Sequence, residues 1–362
     1  MQKEIGSNFD LNPDISLDYL SSTLNIDFFG LKGSDYEFLS TGRGALKLVL
    51  DAISERNPDV NKVALIPSFT CQTVIEPFIK KSYKIVSYEI DSALNVNLYK
   101  FRESLIASEA QVVLVHRYFG FDTLKGFEKI IDEFSPRGIV FIEDRTQCLY
   151  SGFNSLPVDY IISSIRKWAG LPDGGFAVCK TGFFTNKPVI HNKKLEHLKL
   201  EASHAKNEYL YKNVGDKQHY LDLFRKAEKQ IDSESAYYKI SPVSVAIQQH
   251  LDLTELKKRR RENYSLLYNG LKTSDRLQIL MPELTQDDVP LYFVMLLKER
   301  DELQNHLRSH DIYAPIVWPK ADVCPDICNE AQIIYDNVLC LPIDQRYGAD
   351  DIERIIKVIG RK

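Results

Sequence analysis

The feature that most constrains the fold is a regular alternation between residues 36 and 180. Short apolar runs typical of buried strands alternate with longer amphipathic segments typical of helices. Because parallel strands are joined by long crossovers, usually helical, this order predicts a mainly parallel sheet covered on both faces. The predicted strands are Tyr36–Leu39, Val63–Ile66, Ile85–Tyr88, Val112–His116, Ile139–Ile142, Tyr160–Ser163 and Gly175–Cys179. The predicted helices between them include Gly44–Ile53, Cys71–Lys80 and Leu124–Phe134.

The second half of the chain shows a different pattern. Residues 192–233 are polar and helical, and a second helical stretch, Val243–Leu271, follows the break at Pro242. Beyond it, strand and helix patterns alternate once more and indicate a small α+β unit. We therefore expect a large α/β domain with an N-terminal arm over residues 1–245 and a smaller C-terminal domain over residues 246–362.

Composition excludes several classes of protein. The 362 residues carry a net charge of -4, with 44% hydrophobic and 27% charged residues, which indicates a globular protein that binds no nucleic acid. A basic cluster at residues 257–261 lies in a helical pattern and is predicted to be a solvated helix face. The polar start and the absence of a long apolar run predict no signal peptide and no membrane insertion. Six scattered cysteines without metal-site spacing predict free thiols, a cytoplasmic location and no metal.

Ligands of a parallel sheet bind beyond the carboxyl ends of its strands, so the residues that follow each predicted strand are candidates for a binding site. After the first strand, the sequence STGRGAL opens an apolar helix. Its small residues leave backbone N–H groups accessible, and the helix dipole favours an anion there. This segment indicates a phosphate site or merely a tight turn, and the two alternatives are equally supported. A Walker loop is excluded, and Lys47 stands where a dinucleotide fingerprint has its third glycine.

Three further strand ends carry ionisable side chains. Glu143 and Asp144 follow one strand, His116 ends another, and Lys167 follows a third. Each has a structural explanation by itself: an acid pair can bind Arg145 or cap a helix, a histidine can cap a strand, and a loop lysine is usually exposed. Together with a phosphate turn, a strand-end carboxylate and a strand-end lysine are the set that pyridoxal 5'-phosphate requires.

At this point the motifs resemble those of the DegT-like family of sugar aminotransferases, which are fold-type I pyridoxal-phosphate enzymes. STGRGAL is similar to the family's phosphate turn, IPSFTCQTV to its Pro-x-x-Thr segment, VLVHRYFG to a strand ending in His and Gly, FIEDRTQCL to its acidic motif, and SSIRKWAGLPDGG to its lysine loop. The resemblance covers nearly the whole chain. It implies a mainly parallel mixed sheet in a three-layer α/β/α large domain, with a small α+β C-terminal domain.

The resemblance also assigns roles to residues. It implies that Lys167 is the catalytic lysine that binds the cofactor aldehyde, that Asp144 pairs with the pyridine nitrogen and that Gln147 contacts the ring hydroxyl. It also implies that the phosphate is bound by the backbone of Gly42 and Arg43, together with Ser163 or Ser164.

Three departures from the family pattern affect the site. The spacing from the serine to the lysine is one residue shorter than is usual in the family. Cys71 stands where the family commonly places an aromatic residue that stacks on the cofactor ring, with Phe69 as an alternative. A Gly-x-Asn-x-Arg stretch that reaches a neighbouring subunit in relatives reads Tyr238-Lys239-Ile240-Ser241-Pro242 here. The ring partner and a contribution from a second subunit therefore stay open.

The implied activity is transfer of an amino group from an amino acid, glutamate by resemblance, to a nucleotide-linked keto sugar in glycan or surface polysaccharide biosynthesis. A homodimer is implied as well. Three alternatives stay open: a dehydratase-like reaction with the same cofactor, a non-catalytic binding protein of this fold, and a nucleotide-dependent oxidoreductase. In relatives that carry out the dehydration, histidine replaces the lysine. Residues that either line the acceptor site or serve packing and ion pairing are Arg117, Tyr118, Arg166 and Trp168.

Overall fold

The computed structural model describes residues 4–11, 23–322 and 327–360. The strands are β1 (Ile5–Gly6), β2 (Asp35–Leu39), β3 (Val63–Pro67), β4 (Lys84–Tyr88), β5 (Val112–His116), β6 (Val140–Asp144), β7 (Tyr160–Ser163), β8 (Gly175–Cys179), β9 (Gln278–Ile279), β10 (Phe293–Leu296), β11 (Ile312–Tyr313) and β12 (Val338–Leu341). The helices are α1 (Gly42–Arg56), α2 (Gln72–Lys80), α3 (Leu98–Ser108), α4 (Glu128–Phe134), α5 (Lys193–Asn207), α6 (Lys217–Asp232), α7 (Pro242–Gln249), α8 (Leu253–Leu271), α9 (Arg300–Arg308), α10 (Asn329–Asn337) and α11 (Ala349–Ile359).

The chain forms two compact units, each assembled from separate stretches of sequence. Unit one consists of Met1–Ser7, Asp59–Asp159 and Asp252–Lys362, and unit two of Asn8–Pro58 and Tyr160–Leu251. The expected division into domains of residues 1–245 and 246–362 stays a prediction.

Unit one contains a parallel sheet in the order β4–β3–β5–β6. Every residue of β5 is buried, as its unbroken run of apolar residues predicts for a strand covered on both faces. β6 is longer than predicted and includes Glu143 and Asp144. In its register, His116 of β5 lies opposite Asp144 of β6, so both side chains reach the carboxyl edge of the sheet.

The C-terminal part of unit one has a smaller antiparallel sheet, β9–β10–β12, and β11 pairs in parallel with β1. Arg260 of α8 contradicts the expectation that residues 257–261 form a solvated helix face. Arg260 is buried, and its guanidinium donates to the carbonyl oxygens of Pro290 and Leu291 at 3.3 and 3.0 Å. The prediction was wrong for Arg260 because these carbonyl groups satisfy a guanidinium that has lost its water.

Unit two contains three antiparallel strands in the order β2–β8–β7, with α1 packed on β7 and β8. α1 begins at Gly42 because the preceding Thr41 is extended and its hydroxyl accepts a hydrogen bond from Gly44 N at 2.9 Å. Only glycine fits at position 175. A Cβ atom there would lie 2.6 Å from the Thr41 carbonyl carbon and 2.8 Å from the Ser163 carbonyl oxygen.

The predicted helical stretch Val243–Leu271 is two helices rather than one. α7 ends at Gln249, and α8 begins again at Leu253 after Asp252, whose carboxylate accepts a hydrogen bond from Glu255 N at 2.9 Å. The N-capping aspartate explains the new start.

The predicted α/β class is confirmed, with a mixed sheet of parallel and antiparallel strands and flanking helices. Within the described ranges, none of the helices is both long enough and apolar enough to cross a membrane.

Candidate functional site

The residues predicted to hold a phosphate lie together in unit two. A Cβ atom on Gly42 would lie 3.0 Å from the Ser164 Cβ and 3.4 Å from the Ser163 carbonyl oxygen, so the first turn of α1 contacts the end of β7. The Ser163 hydroxyl is buried and makes no hydrogen bond within the described residues, and the same is true of the Ser40 hydroxyl. Buried hydroxyl groups rarely stay unpaired, so these two, beside a helix N-terminus, fit an anionic ligand.

The side chain of Arg43 is engaged elsewhere in unit two. Its guanidinium donates to the Asp232 carboxylate at 2.9 Å and to the Ile231 carbonyl at 3.4 Å, at the C-terminal end of α6. Position 43 is in the first turn of α1, where backbone N–H groups have no partner further back in the helix. The structure is therefore consistent with a backbone role for Arg43 and does not direct its charge toward the turn.

Lys167 ends a single 3-10 turn, Ile165–Lys167, which directly follows β7 and Ser164. The turn is closed by a hydrogen bond from Trp168 N to the Ile165 carbonyl at 3.0 Å. Lys167 itself is exposed, whereas Ile165 and Trp168 on either side are buried. An exposed amine on a turn with buried neighbours is accessible to a ligand while its backbone is held.

The two residues beside Lys167 have structural partners. Trp168 is fully buried. Arg166 donates to both carboxylate oxygens of Glu228, at 3.0 and 3.4 Å, and Lys199 donates to the same carboxylate. Burial alone would raise the pKa of Glu228, but the positive charges of Arg166, Lys199 and Lys167 lower that pKa well below its usual range. Packing explains Trp168, and an ion pair explains Arg166.

Unit one brings together the predicted ring-binding residues. Asp144 is buried at the end of β6, and one of its carboxylate oxygens accepts a hydrogen bond from Thr146 N at 2.8 Å. Burial raises the pKa of Asp144 to about 6, even though hydrogen bonds from Thr146 act against the shift. Gln147 is also buried, and its side-chain oxygen accepts a hydrogen bond from Phe119 N at 2.9 Å. This bond fixes the orientation of the Gln147 amide.

His116 is a residue whose importance the sequence understates. Its Nε2 lies 3.2 Å from the Thr70 hydroxyl, while its Nδ1 is buried and unpaired among the described residues. Burial lowers the pKa of His116 to about 3, so the ring is neutral at pH 7. Its centroid lies 4.4 Å from that of Tyr118 and 5.5 Å from that of Trp318. An unpaired buried nitrogen opposite Asp144 indicates a ligand group, which no sequence pattern could reveal.

Cys71 is the residue before α2, and its thiol does not cap the helix. The thiol accepts a hydrogen bond from the Thr73 hydroxyl at 3.1 Å. The alternative ring partner, Phe69, is fully buried in an aromatic cluster with Tyr118 and Tyr335, at centroid distances of 5.8 and 4.7 Å. Phe69 is therefore held by packing.

The acid pair at the end of β6 divides into two environments. Glu143 is fully buried and accepts hydrogen bonds from Arg117, from Arg145 at 3.3 Å and from Leu156 N at 2.9 Å. Arg117 also donates to Asp122 at 2.7 Å. Because both arginines neutralise Glu143, Asp144 is the member of the pair whose carboxylate has no cationic partner among the described residues of unit one.

A family model described as the DegT/DnrJ/EryC1/StrS aminotransferase family matches residues 38–360. No curated protein matches the sequence significantly.

Solved structures with the same fold include two aminotransferases and a dehydratase. The Helicobacter pylori aminotransferase PseC, involved in the biosynthesis of pseudoaminic acid, has a TM-score of 0.72 at 13% identity, with 99% of each chain covered. The sugar aminotransferase CalS13 from Micromonospora echinospora has a TM-score of 0.69 at 15% identity, with 98% of each covered. The E. coli GDP-4-keto-6-deoxy-D-mannose-3-dehydratase with bound hydrated pyridoxal phosphate has a TM-score of 0.65 at 16% identity, with 98% of this chain and 99% of that chain covered. Such identities show the fold, and the family model shows membership: the chain belongs to the DegT/DnrJ/EryC1/StrS aminotransferase family.

Proposed function

We propose that the protein is a pyridoxal-phosphate-dependent aminotransferase that moves an amino group from glutamate to a nucleotide-linked keto sugar. The observation that carries the proposal lies in unit two. Lys167 is an exposed amine on the turn that follows Ser163 and Ser164. The buried hydroxyl of Ser163 is unpaired among the described residues, and its carbonyl packs against the first turn of α1 at Gly42. A phosphate turn and an accessible lysine on one short segment fit this cofactor.

The proposed phosphate ligands are the backbone N–H groups of Gly42 and Arg43 and the hydroxyls of Ser163 and Ser164. The close approach of Gly42 to Ser164 supports this assignment, because a side chain at position 42 would fill the space between them. A phosphate accepts hydrogen bonds from every one of these groups, and it would satisfy the Ser163 hydroxyl.

Asp144 and Gln147 are the proposed partners of the cofactor ring. With a pKa raised to about 6 by burial, the Asp144 carboxylate gains from a cationic partner, and a protonated pyridine nitrogen is one. Gln147 presents an amide whose oxygen already accepts a hydrogen bond, which leaves its N–H₂ group as the donor for a ring oxygen. His116 or Cys71 then serves as the residue beside the ring.

When bound, pyridoxal phosphate supplies an electron sink for the bond that the reaction breaks at the substrate carbon. Lys167 would hold the cofactor through its Nζ atom. When it is not bound to the cofactor, the same amine would accept a proton from the donor's α carbon and return one during transfer, which is general acid–base catalysis. The Asp144 carboxylate would favour the positive charge of the ring nitrogen.

The sugar acceptor is proposed from the relatives. CalS13 is a sugar aminotransferase and PseC is an aminotransferase of pseudoaminic acid biosynthesis, and both structures match nearly the whole chain. A dehydratase shares the fold as well. Lys167 favours transamination, because relatives that dehydrate carry histidine at the lysine position. We also propose a homodimer, on the same family basis, which light scattering tests.

The test is a half-reaction followed by absorption. Glutamate added to the cofactor-loaded protein should convert the visible absorption to that of the amino form of the cofactor, and a keto sugar should restore it. Lys167→Ala should lose both changes, while Lys194→Ala, at an exposed position of α5, should keep them. A Lys167→Ala protein with full turnover would refute the proposed function, and a screen of nucleotide-linked and free keto sugars identifies the acceptor.

A further inference from the structure

The loop between β7 and β8, which carries Lys167, is closed at its base. Ile165 N donates to the Gly174 carbonyl at 3.1 Å, and Gly174 N donates to the Ser40 carbonyl at 2.6 Å. The first bond joins the two ends of the loop. The second attaches the loop to the residue that precedes Thr41 and the first turn of α1. Movement at residue 174 therefore changes both the lysine turn and its distance from the phosphate turn.

Asp173, next to this junction, is a fully buried carboxylate within unit two. It accepts hydrogen bonds from the Ser241 hydroxyl at 2.8 Å, from the Ser244 hydroxyl at 2.6 Å and from Ser241 N at 3.1 Å. Asp173 N in turn lies 3.2 Å from the Ser244 hydroxyl oxygen, to which it donates. The backbone N–H group and the carboxylate of Asp173 are thus both bound to serines at the start of α7.

This arrangement costs stability, so packing alone does not explain it. Burial raises the pKa of Asp173 to about 6 although three hydrogen bonds oppose the shift. An apolar side chain of similar size would avoid the cost of desolvation. A carboxylate provides directional hydrogen bonds, which an apolar group does not, and the bonds from two serines fix the position of the residue.

The rest of the loop is held by packing. Trp168 is fully buried directly after Lys167. Gly170 is so close to the N-terminal segment that a Cβ atom would lie 2.3 Å from the Asp10 carbonyl oxygen. These contacts restrain the middle of the loop, whereas Asp173 restrains the end that bonds to Ser40.

We propose that Asp173 is a positioning residue for Lys167. It anchors the β7–β8 loop to α7 and so holds the loop in place beside the strand–helix turn at Ser40–Gly42. Asp173 is not assigned a contact with the cofactor. The proposal rests on the proposed function only for the role of Lys167. The anchoring itself is a property of the protein without cofactor.

The test compares Asp173→Ala, Asp173→Asn and Ser244→Ala with Leu267→Ala, a control in the core of α8. Leu267→Ala creates a buried cavity and lowers stability without touching the loop. Amide hydrogen exchange of the cofactor-free protein is measured for residues 165–175, and the dissociation constant of pyridoxal phosphate and its absorption maximum are measured for each loaded variant.

Asp173→Ala should raise the exchange rates of the loop and the cofactor dissociation constant by about tenfold or more, the equivalent of one lost charged hydrogen bond. Ser244→Ala should show a smaller effect, and Asp173→Asn, which keeps an acceptor, should recover most of the affinity and the absorption maximum. Leu267→Ala should change neither property. If Asp173→Ala does not fold, Asp173→Asn and Ser244→Ala provide the comparison.

The two proposals fail differently. If the wild-type protein binds no pyridoxal phosphate, the proposed function fails, and hydrogen exchange still decides whether Asp173 anchors the loop. If the wild-type protein binds the cofactor and Asp173→Ala matches Leu267→Ala in both exchange and affinity, the positioning role is wrong.

Discussion

Replacing Glu143 by glutamine should destabilise unit one strongly, because its carboxylate joins the ends of two strands. Arg117 follows β5 and Glu143 lies in β6, so their ion pair links the strand ends that carry His116 and Asp144. Glu143 is fully buried, and the side chains of Arg117 and Arg145 are only 5% and 3% exposed. Glutamine fits the same space but removes the charge that neutralises two buried guanidinium groups.

The magnitude follows from burial. Removing one partner of a buried ion pair costs about 3–5 kcal/mol where the remaining charge has neither water nor counter-ion. Here Arg117 keeps Asp122 as a second counter-ion, so the low end of that range applies. Glutamine keeps one acceptor oxygen, which places the expected loss at about 3 kcal/mol. For a cooperative unit of about 200 residues, this loss lowers the melting temperature by roughly 6–12 °C.

The matched control is Asp122→Asn, which alters the other carboxylate bound to Arg117. The Asp122 side chain is 29% exposed, so its ion pair is partly solvated and should contribute less than about 1 kcal/mol. Melting curves by circular dichroism should separate the two variants clearly. In addition, Arg117→Met should cost less in the Glu143→Gln background than in the wild type.

The reasoning would be refuted by equal melting temperatures of Glu143→Gln and Asp122→Asn. It would also fail if the effects of Glu143→Gln and Arg117→Met were simply additive, since the two residues would then not interact.

Three further results are expected. Burial raises the pKa of Asp173 from its ordinary value of 3.8 to about 6, so its contribution to stability is full below pH 3.8 and is lost as the pH rises through 6. The melting temperature of Asp173→Asn relative to wild type should therefore rise between pH 4 and 7, and a constant difference would contradict this. In Trp318→Phe, the emission of Trp168 should be that of a buried indole resistant to acrylamide, and ready quenching would show that it is exposed. A double-mutant cycle of Arg166→Met and Glu228→Gln should give a coupling of about 1 kcal/mol by urea unfolding, because this pair is partly exposed, and a coupling of zero would show that Arg166 is not held by Glu228.

Local patterns predicted the elements well. The apolar runs of β5 and β7 are too short for helices and too apolar for loops, so both strands occur where they were expected. Asp144 and Gln147 could be selected because they lie on one motif. The cluster of Gly42, Ser163 and Ser164 could be anticipated because turns after strands of one sheet meet at a common edge.

What could not be predicted depends on residues distant in sequence. Nothing near Arg260 reveals that it would meet the carbonyl groups of Pro290 and Leu291, so a basic run looked like a solvated face. Asp173 meets Ser241 across 68 positions, and a Pro-Asp-Gly-Gly turn gives no sign of that partner. The unpaired Nδ1 of His116 likewise becomes visible only when all its neighbours are placed.

The most direct test of the central claim is the identity of the lysine that binds the cofactor. The protein should be incubated with pyridoxal phosphate, reduced with borohydride, digested and analysed by mass spectrometry, with Lys167→Ala treated in parallel. We expect a cofactor adduct on the peptide that contains Lys167 at near-stoichiometric yield, and no such adduct in Lys167→Ala. An unlabelled Lys167 in the wild-type protein, or stoichiometric labelling of another lysine, would contradict the assignment of this chain's active site.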